Sequence, residues 1–136
     1  MDNHKDGTPI PVKILAVLLA IFGFFAFFGS LFLWGEGFIL DAPVGVDIAF
    51  PVTDVLVNAP ACLIAAFGLW KMKRFGYPAS QFVAGFFIYA SVYIFLDVLQ
   101  GEPPYPLEII LPQVLALLTA GVLVFYLYPV RDLFQN

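Results

Sequence analysis

The sequence predicts an all-α integral membrane protein: four transmembrane helices in an up-down-up-down bundle, with both the N and C termini cytoplasmic. Three observations carry that expectation. Of the 136 residues, 62% are hydrophobic and only 12% charged, whereas a soluble domain carries about a quarter charged residues. Four apolar stretches, each close to the ~20 residues needed to cross a hydrocarbon core, are separated by one longer and two short connections. All six Lys and Arg residues flank alternate ends of those stretches: Lys5 and Lys13 precede the first, Lys71, Lys73 and Arg74 separate the second from the third, and Arg131 follows the fourth. Basic residues stay cytoplasmic during insertion.

The chain reads as a single domain over 1–136. Residues 1–8 are polar, and Pro9 and Pro11 punctuate the approach to a first helix over 12–34. At about 1.5 Å per residue this helix spans roughly 34 Å. The apolar run is too long for a cleaved signal peptide, so a retained helix is expected. In the connection 35–51, Val44, Val46, Ile48 and Phe50 alternate with Gly45, Asp47 and Ala49. That period of two suggests an extended stretch at the membrane surface. The second helix is expected over 52–70, kinked by Pro60, with Asp54 capping its start beside Thr53. Residues 71–78 form a basic turn whose neighbours Trp70, Phe75 and Tyr77 suit the headgroup level.

The third helix is expected over 79–99 and a proline-stiffened turn over 100–106. The fourth helix is expected over 107–128, with Pro112 in its first turns and Pro129 ending it. The two short connections make helices 2–3 and 3–4 antiparallel hairpins. Helix 1 then returns beside helix 2 or helix 4.

Charge divides sharply between the two sides. The cytoplasmic segments set six basic residues against Asp2, Asp6 and Asp132, a net of three positive charges that suits anionic headgroups. The other side carries Glu36, Asp41, Asp47, Asp54, Asp97, Glu102 and Glu108 and no base. No basic, polar surface of the kind that binds nucleic acid is present. His4 is the only histidine and Cys62 the only cysteine. A bis-His haem, a His-rich copper site and a Cys/His zinc site are therefore not expected within one chain. Cys62 reads as a small core residue. No nucleophile triad, phosphate loop or deep aspartate pair appears, so no catalytic residue, cofactor or metal site is expected. In outline, the Gly68-Leu69-Trp70-Lys71-Met72-Lys73-Arg74-Phe75-Gly76 turn between two apolar hairpins resembles small prokaryotic four-helix membrane proteins, without a shared motif.

Two sets of residues stand out. Ala16, Gly23 and Ser30 recur every seven residues, with Ala20 between. Such small-residue stripes mark close helix packing in lipid, here within the chain or in a homo-oligomer or larger complex. Phe22, Phe25 and Phe28 are expected opposite that stripe, toward lipid or another subunit. The second set is polar: Asp54 and Asn58 on helix 2, Tyr93 and Asp97 on helix 3, and Glu108 and Gln113 on helix 4. Ionisable groups at membrane depth are costly and so are functional candidates. Together they suggest an acidic outer vestibule.

The sequence thus favours a non-catalytic, multi-pass protein of the cell membrane, an accessory or homo-oligomeric structural subunit in contact with the lipid bilayer. The competing class is a small channel, transporter or ligand- or cation-binding protein working through that vestibule.

Overall fold

The computed structural model describes residues 7–35, 49–100 and 107–134. Those residues are all-helical, and four helices are long and apolar enough to cross a membrane. Helix α1 is Ile10–Gly35. Helix α2 covers 49–70 in three parts: Ala49–Thr53, a π-helical segment Asp54–Asn58, and Ala59–Trp70. Helix α3 is Gly76–Gln100. Helix α4 is Leu107–Val130, followed by a 3₁₀ turn, Arg131–Leu133.

Every helix runs longer than the sequence suggested, because apolar flanks at a membrane boundary extend helices past their polar signals. The largest corrections fall beside prolines. Helix α3 begins at Gly76, two residues before Pro78, which sits in its first turn. A proline there gives up no helical hydrogen bond. Pro129 does not end α4, which continues to Val130. Helix α2 begins at Ala49, so Ala49 and Phe50 close the supposed extended stretch as helix. The rest of that stretch lies outside the described residues, as do the turn at 101–106 and Glu36, Asp41, Asp47 and Glu102.

Pro60 shapes α2. Proline removes the donor that would bond residue 56, and its ring crowds that carbonyl. The helix absorbs this by widening just upstream: the Ala59 N–H bonds to the Asp54 carbonyl, five residues back. Pro60 then lies in the first turn of a fresh α-helical segment. The irregularity at Pro60 is thus a π-turn inserted between two α-helical segments.

Consecutive helices pack along their lengths, and α1 lies beside α2 rather than α4, which it meets only sparsely. One core draws on all four helices: Leu15 and Leu19 from α1, Ala65 and Leu69 from α2, Val83 and Phe87 from α3, Leu123 and Leu127 from α4. Phe22 and Phe87 meet across it with ring centroids 4.9 Å apart. Two side-chain bonds tie α3 to α4. The Gln81 amide donates to the Leu123 carbonyl at 3.0 Å, and the Ser91 hydroxyl donates to the Gln113 carbonyl at 3.1 Å. As the donor moves ten residues forward on α3, its acceptor moves ten back on α4. Near the other helix ends, the Thr8 hydroxyl reaches the Trp70 carbonyl at 3.3 Å, and the Tyr77 ring lies 6.5 Å from that of Phe134.

The α2–α3 turn is the tightest point of the fold. The Lys73 N–H bonds to the Gly68 carbonyl and the Met72 N–H to the Leu69 carbonyl. This paired pattern closes a helix with one left-handed residue, here Met72 at φ 51°. A β-carbon on Gly68 would lie 2.5 Å from the Gly76 Cα, and one on Gly76 would lie 2.5 Å from the Gly68 carbonyl carbon. Both obstacles are backbone and cannot rotate away.

Gly68→Ala and Gly76→Ala should therefore each lower stability by about 2–3 kcal/mol. Gly85→Ala and Gly121→Ala, where nothing lies within 4 Å, should be neutral or slightly stabilising. Thermal unfolding in detergent reads the contrast; equal effects at all four positions would contradict it.

Candidate functional site

Asp54, Asn58 and Cys62 recur every four residues along α2 and form a hydrogen-bonded ladder. The Asn58 Nδ2 donates to Asp54 Oδ1 at 2.9 Å, and the Cys62 Sγ donates to Asn58 Oδ1 at 3.3 Å. The ladder runs from the partly buried Asp54 to Cys62, which is fully buried in the core. Asp54 does not cap its helix. It lies five residues inside, within the π-turn, and no side chain caps that turn. Its partner is the neighbouring amide, not a helix N-terminus.

The ladder faces a cavity of about 60 Å³ at the meeting of all four helices. From α2, Asp54 and Asn58 line it. From α1 come Phe22 and Phe25, and from α3 Phe86 and Phe87. Helix α4 contributes Pro112, Gln113 and Ala116. Behind Gln113, the Ser91 hydroxyl bonds its carbonyl and approaches its Oε1 at 3.5 Å. That fixes the Gln113 backbone against α3 at the cavity wall.

Of the six polar residues singled out in the sequence, the structure brings Asp54, Asn58 and Gln113 to one cavity. Tyr93 and Asp97 do not line it. Asp97 lies one turn from the C-terminal end of α3. Glu108 falls in the first turn of α4, with its side chain outside the described residues.

The stripe residues Ala16, Gly23 and Ser30 are buried and Ala20 partly so. Gly23 serves the α1–α2 contact: a β-carbon there would stand 3.0 Å from the Leu63 side chain and 3.2 Å from the Ala59 carbonyl oxygen. Phe22 does not lie opposite them on the lipid side; it turns inward, whereas Phe25 and Phe28 are exposed. Sequence reasoning also missed Phe86, Phe87 and Pro112 as lining residues. The signal for Phe22 was present, since Leu15, Leu19, Phe22 and Ala26 follow one helical face.

Deeper polar groups are already engaged. The Ser80 hydroxyl bonds the Tyr77 carbonyl and that of Thr119 the Leu115 carbonyl, while Gln81 bonds Leu123. Among the described residues no buried side-chain polar atom lacks a partner, and no group of three potential metal-binding side chains occurs.

Asn58→Leu should destabilise the protein by about 1–3 kcal/mol, because it strips a partly buried carboxyl group of its donor. Replacing Asp54 by Leu as well should recover much of that loss. Thermal unfolding of the single and double variants measures the coupling, and a silent Asn58→Leu would show that the ladder carries no weight. No protein-family model matches the chain, and neither a curated protein nor a solved structure is significantly similar to it.

Proposed function

We propose that this is a non-catalytic, multi-pass protein of the cell membrane, an up-down-up-down bundle with both termini cytoplasmic, acting as a homo-oligomeric or accessory subunit. The opposed register of the α3–α4 bonds and the contacts Thr8–Trp70 and Tyr77–Phe134 support the alternating course. In that course Lys13, Lys71, Lys73, Arg74 and Arg131 belong to one end, and such a clustering of basic charge supports the orientation.

One observation carries the associative role. On the outward face of α1, Ile14, Val17, Ile21, Phe24, Phe28 and Leu31 recur at alternating steps of three and four, and all are exposed. Phe24 and Phe28 stack with centroids 6.3 Å apart. This is the spacing of a left-handed helix–helix seam. In the small-residue stripe Gly23 is engaged by α2, which leaves this bulky seam as the surface of α1 for a second copy or a partner subunit.

A second reading, a small-ligand-binding protein, is favoured by the cavity that holds Asp54, Asn58 and Gln113. A channel or transporter has less support, because Ser80, Gln81 and Thr119 already bond to carbonyls.

Native mass measurement in mild detergent tests the first reading. The expected result is a mass above one chain, reduced to the monomer by Phe24→Ala/Phe28→Ala with helicity unchanged. A wild-type chain that is strictly monomeric, with no co-purifying partner, would contradict it.

A further inference from the structure

We propose that the cavity among the four helices binds a small organic ammonium ion, with its charged head on Asp54 and its apolar body among the phenylalanines. This rests on the small-ligand reading of the cavity and specifies the ligand's chemistry.

Charge is the first argument. Among the described residues Asp54 is the one acidic group lining the cavity, and no Lys, Arg or His lines it. Its Oδ1 receives one bond from Asn58, whereas a carboxylate can accept about four. A carboxylate at membrane depth is costly unless it is paired, and a cation is the partner that offsets its charge. A primary ammonium supplies the charge and three donors. Asp54 is the principal acceptor for them; Gln113 Oε1, which the Ser91 hydroxyl approaches at 3.5 Å, and Asn58 Oδ1, which receives Cys62 Sγ, each have a second lone pair.

The walls select the kind of cation. Phe22, Phe25, Phe86 and Phe87 line it with apolar surface, and aromatic rings attract cations within about 6 Å of their centroids. A hard metal ion instead needs about six to eight oxygen ligands. One carboxyl group and two side-chain amides do not supply them. An anion would meet Asp54 with nothing to offset it.

Size and depth agree. The cavity measures about 60 Å³. At about 10–15 Å³ per water this is room for about four to six waters, which takes an ammonium head and its first carbons; the cavity is open on one side, and a larger apolar body extends through that opening. Asp54 lies three residues inside the span that starts at Pro51, hence about 5 Å below its boundary. A lipid-partitioned amine holds its ammonium head at such a depth while its body lies deeper. Phe25 both lines the cavity and is exposed, and it lies on α1, whose contact with α4 is sparse. An amphiphilic amine therefore has lateral access from the bilayer.

The test is titration calorimetry on the full chain in nanodiscs, with benzylammonium as probe and benzyl alcohol as its neutral counterpart. The expected result is saturable benzylammonium binding at one per chain. Asp54→Asn should weaken it about ten-fold or more through loss of the charge-assisted contact. Ala116→Leu, which fills the cavity, should abolish it. Both variants are first checked for wild-type melting temperature. Should Asp54→Asn fail that check, Gln113→Leu should weaken benzylammonium binding in its place. Absence of saturable benzylammonium binding, or equal binding to Asp54→Asn, would overturn the proposal. Benzyl alcohol binding as tightly, with Ala116→Leu removing both, would overturn the ammonium assignment while keeping the small-ligand reading. Failure of both probes would remove both.

Discussion

A backbone crossing hydrocarbon must satisfy its own hydrogen bonds, and the rest of this structure follows from that constraint. Lipid offers no substitute donor or acceptor, so the four apolar stretches become continuous helices and push their irregularities to defined places. At the α2–α3 turn, one left-handed residue and two crossed backbone bonds close the helix. Two glycines let the next helix start in contact with it. At Pro60 the lost donor is absorbed by a π-turn rather than left as a gap.

The irregularities are also where the chemistry gathers. The π-turn carries Asp54 and Asn58, and Pro112 interrupts α4 beside Gln113 on the facing wall. Widened helix on one side and a missing donor on the other leave the helices imperfectly packed there, and the aromatic rings of α1 and α3 cover the remaining space. A polar ladder that would be out of place in a uniform bundle lies beside a cavity that accommodates it. Away from this region, side-chain hydroxyls bond to nearby carbonyls and the core is filled by aliphatic groups. The outer faces remain apolar, as lipid contact requires. The regular face of α1 differs in its repeated spacing, which is why association is assigned to it.

The four helices were legible because their signal is long and coarse: sustained apolar runs bounded by charge or proline. Their ends were less legible. Pro78 and Pro129 read as breaks, yet a first turn tolerates proline, and past Pro129 the helix runs only one residue further, to Val130. Pro60 was recognised as a perturbation, but a π-turn has no composition of its own, and the expected response was a kink rather than a widened turn just upstream. The site was half legible. Asp54, Asn58 and Gln113 were visible as polar groups at depth. Tyr93 and Asp97 share a sequence spacing with them but not the cavity. Phe22 and Phe87 looked like two more members of a large aromatic load. Only the contact between α1 and α3 separates them from the phenylalanines that face lipid.

The proposed orientation has four crossings and puts the basic helix ends together on the cytoplasmic side of the membrane. Single cysteines introduced at positions 73, 104 and 135 of a Cys62→Ala chain, treated in intact cells with a membrane-impermeant thiol reagent, test this most directly. The account requires labelling at 104, with 73 and 135 protected until the membrane is permeabilised. Labelling at 73 or 135 in intact cells, with 104 protected, would contradict it.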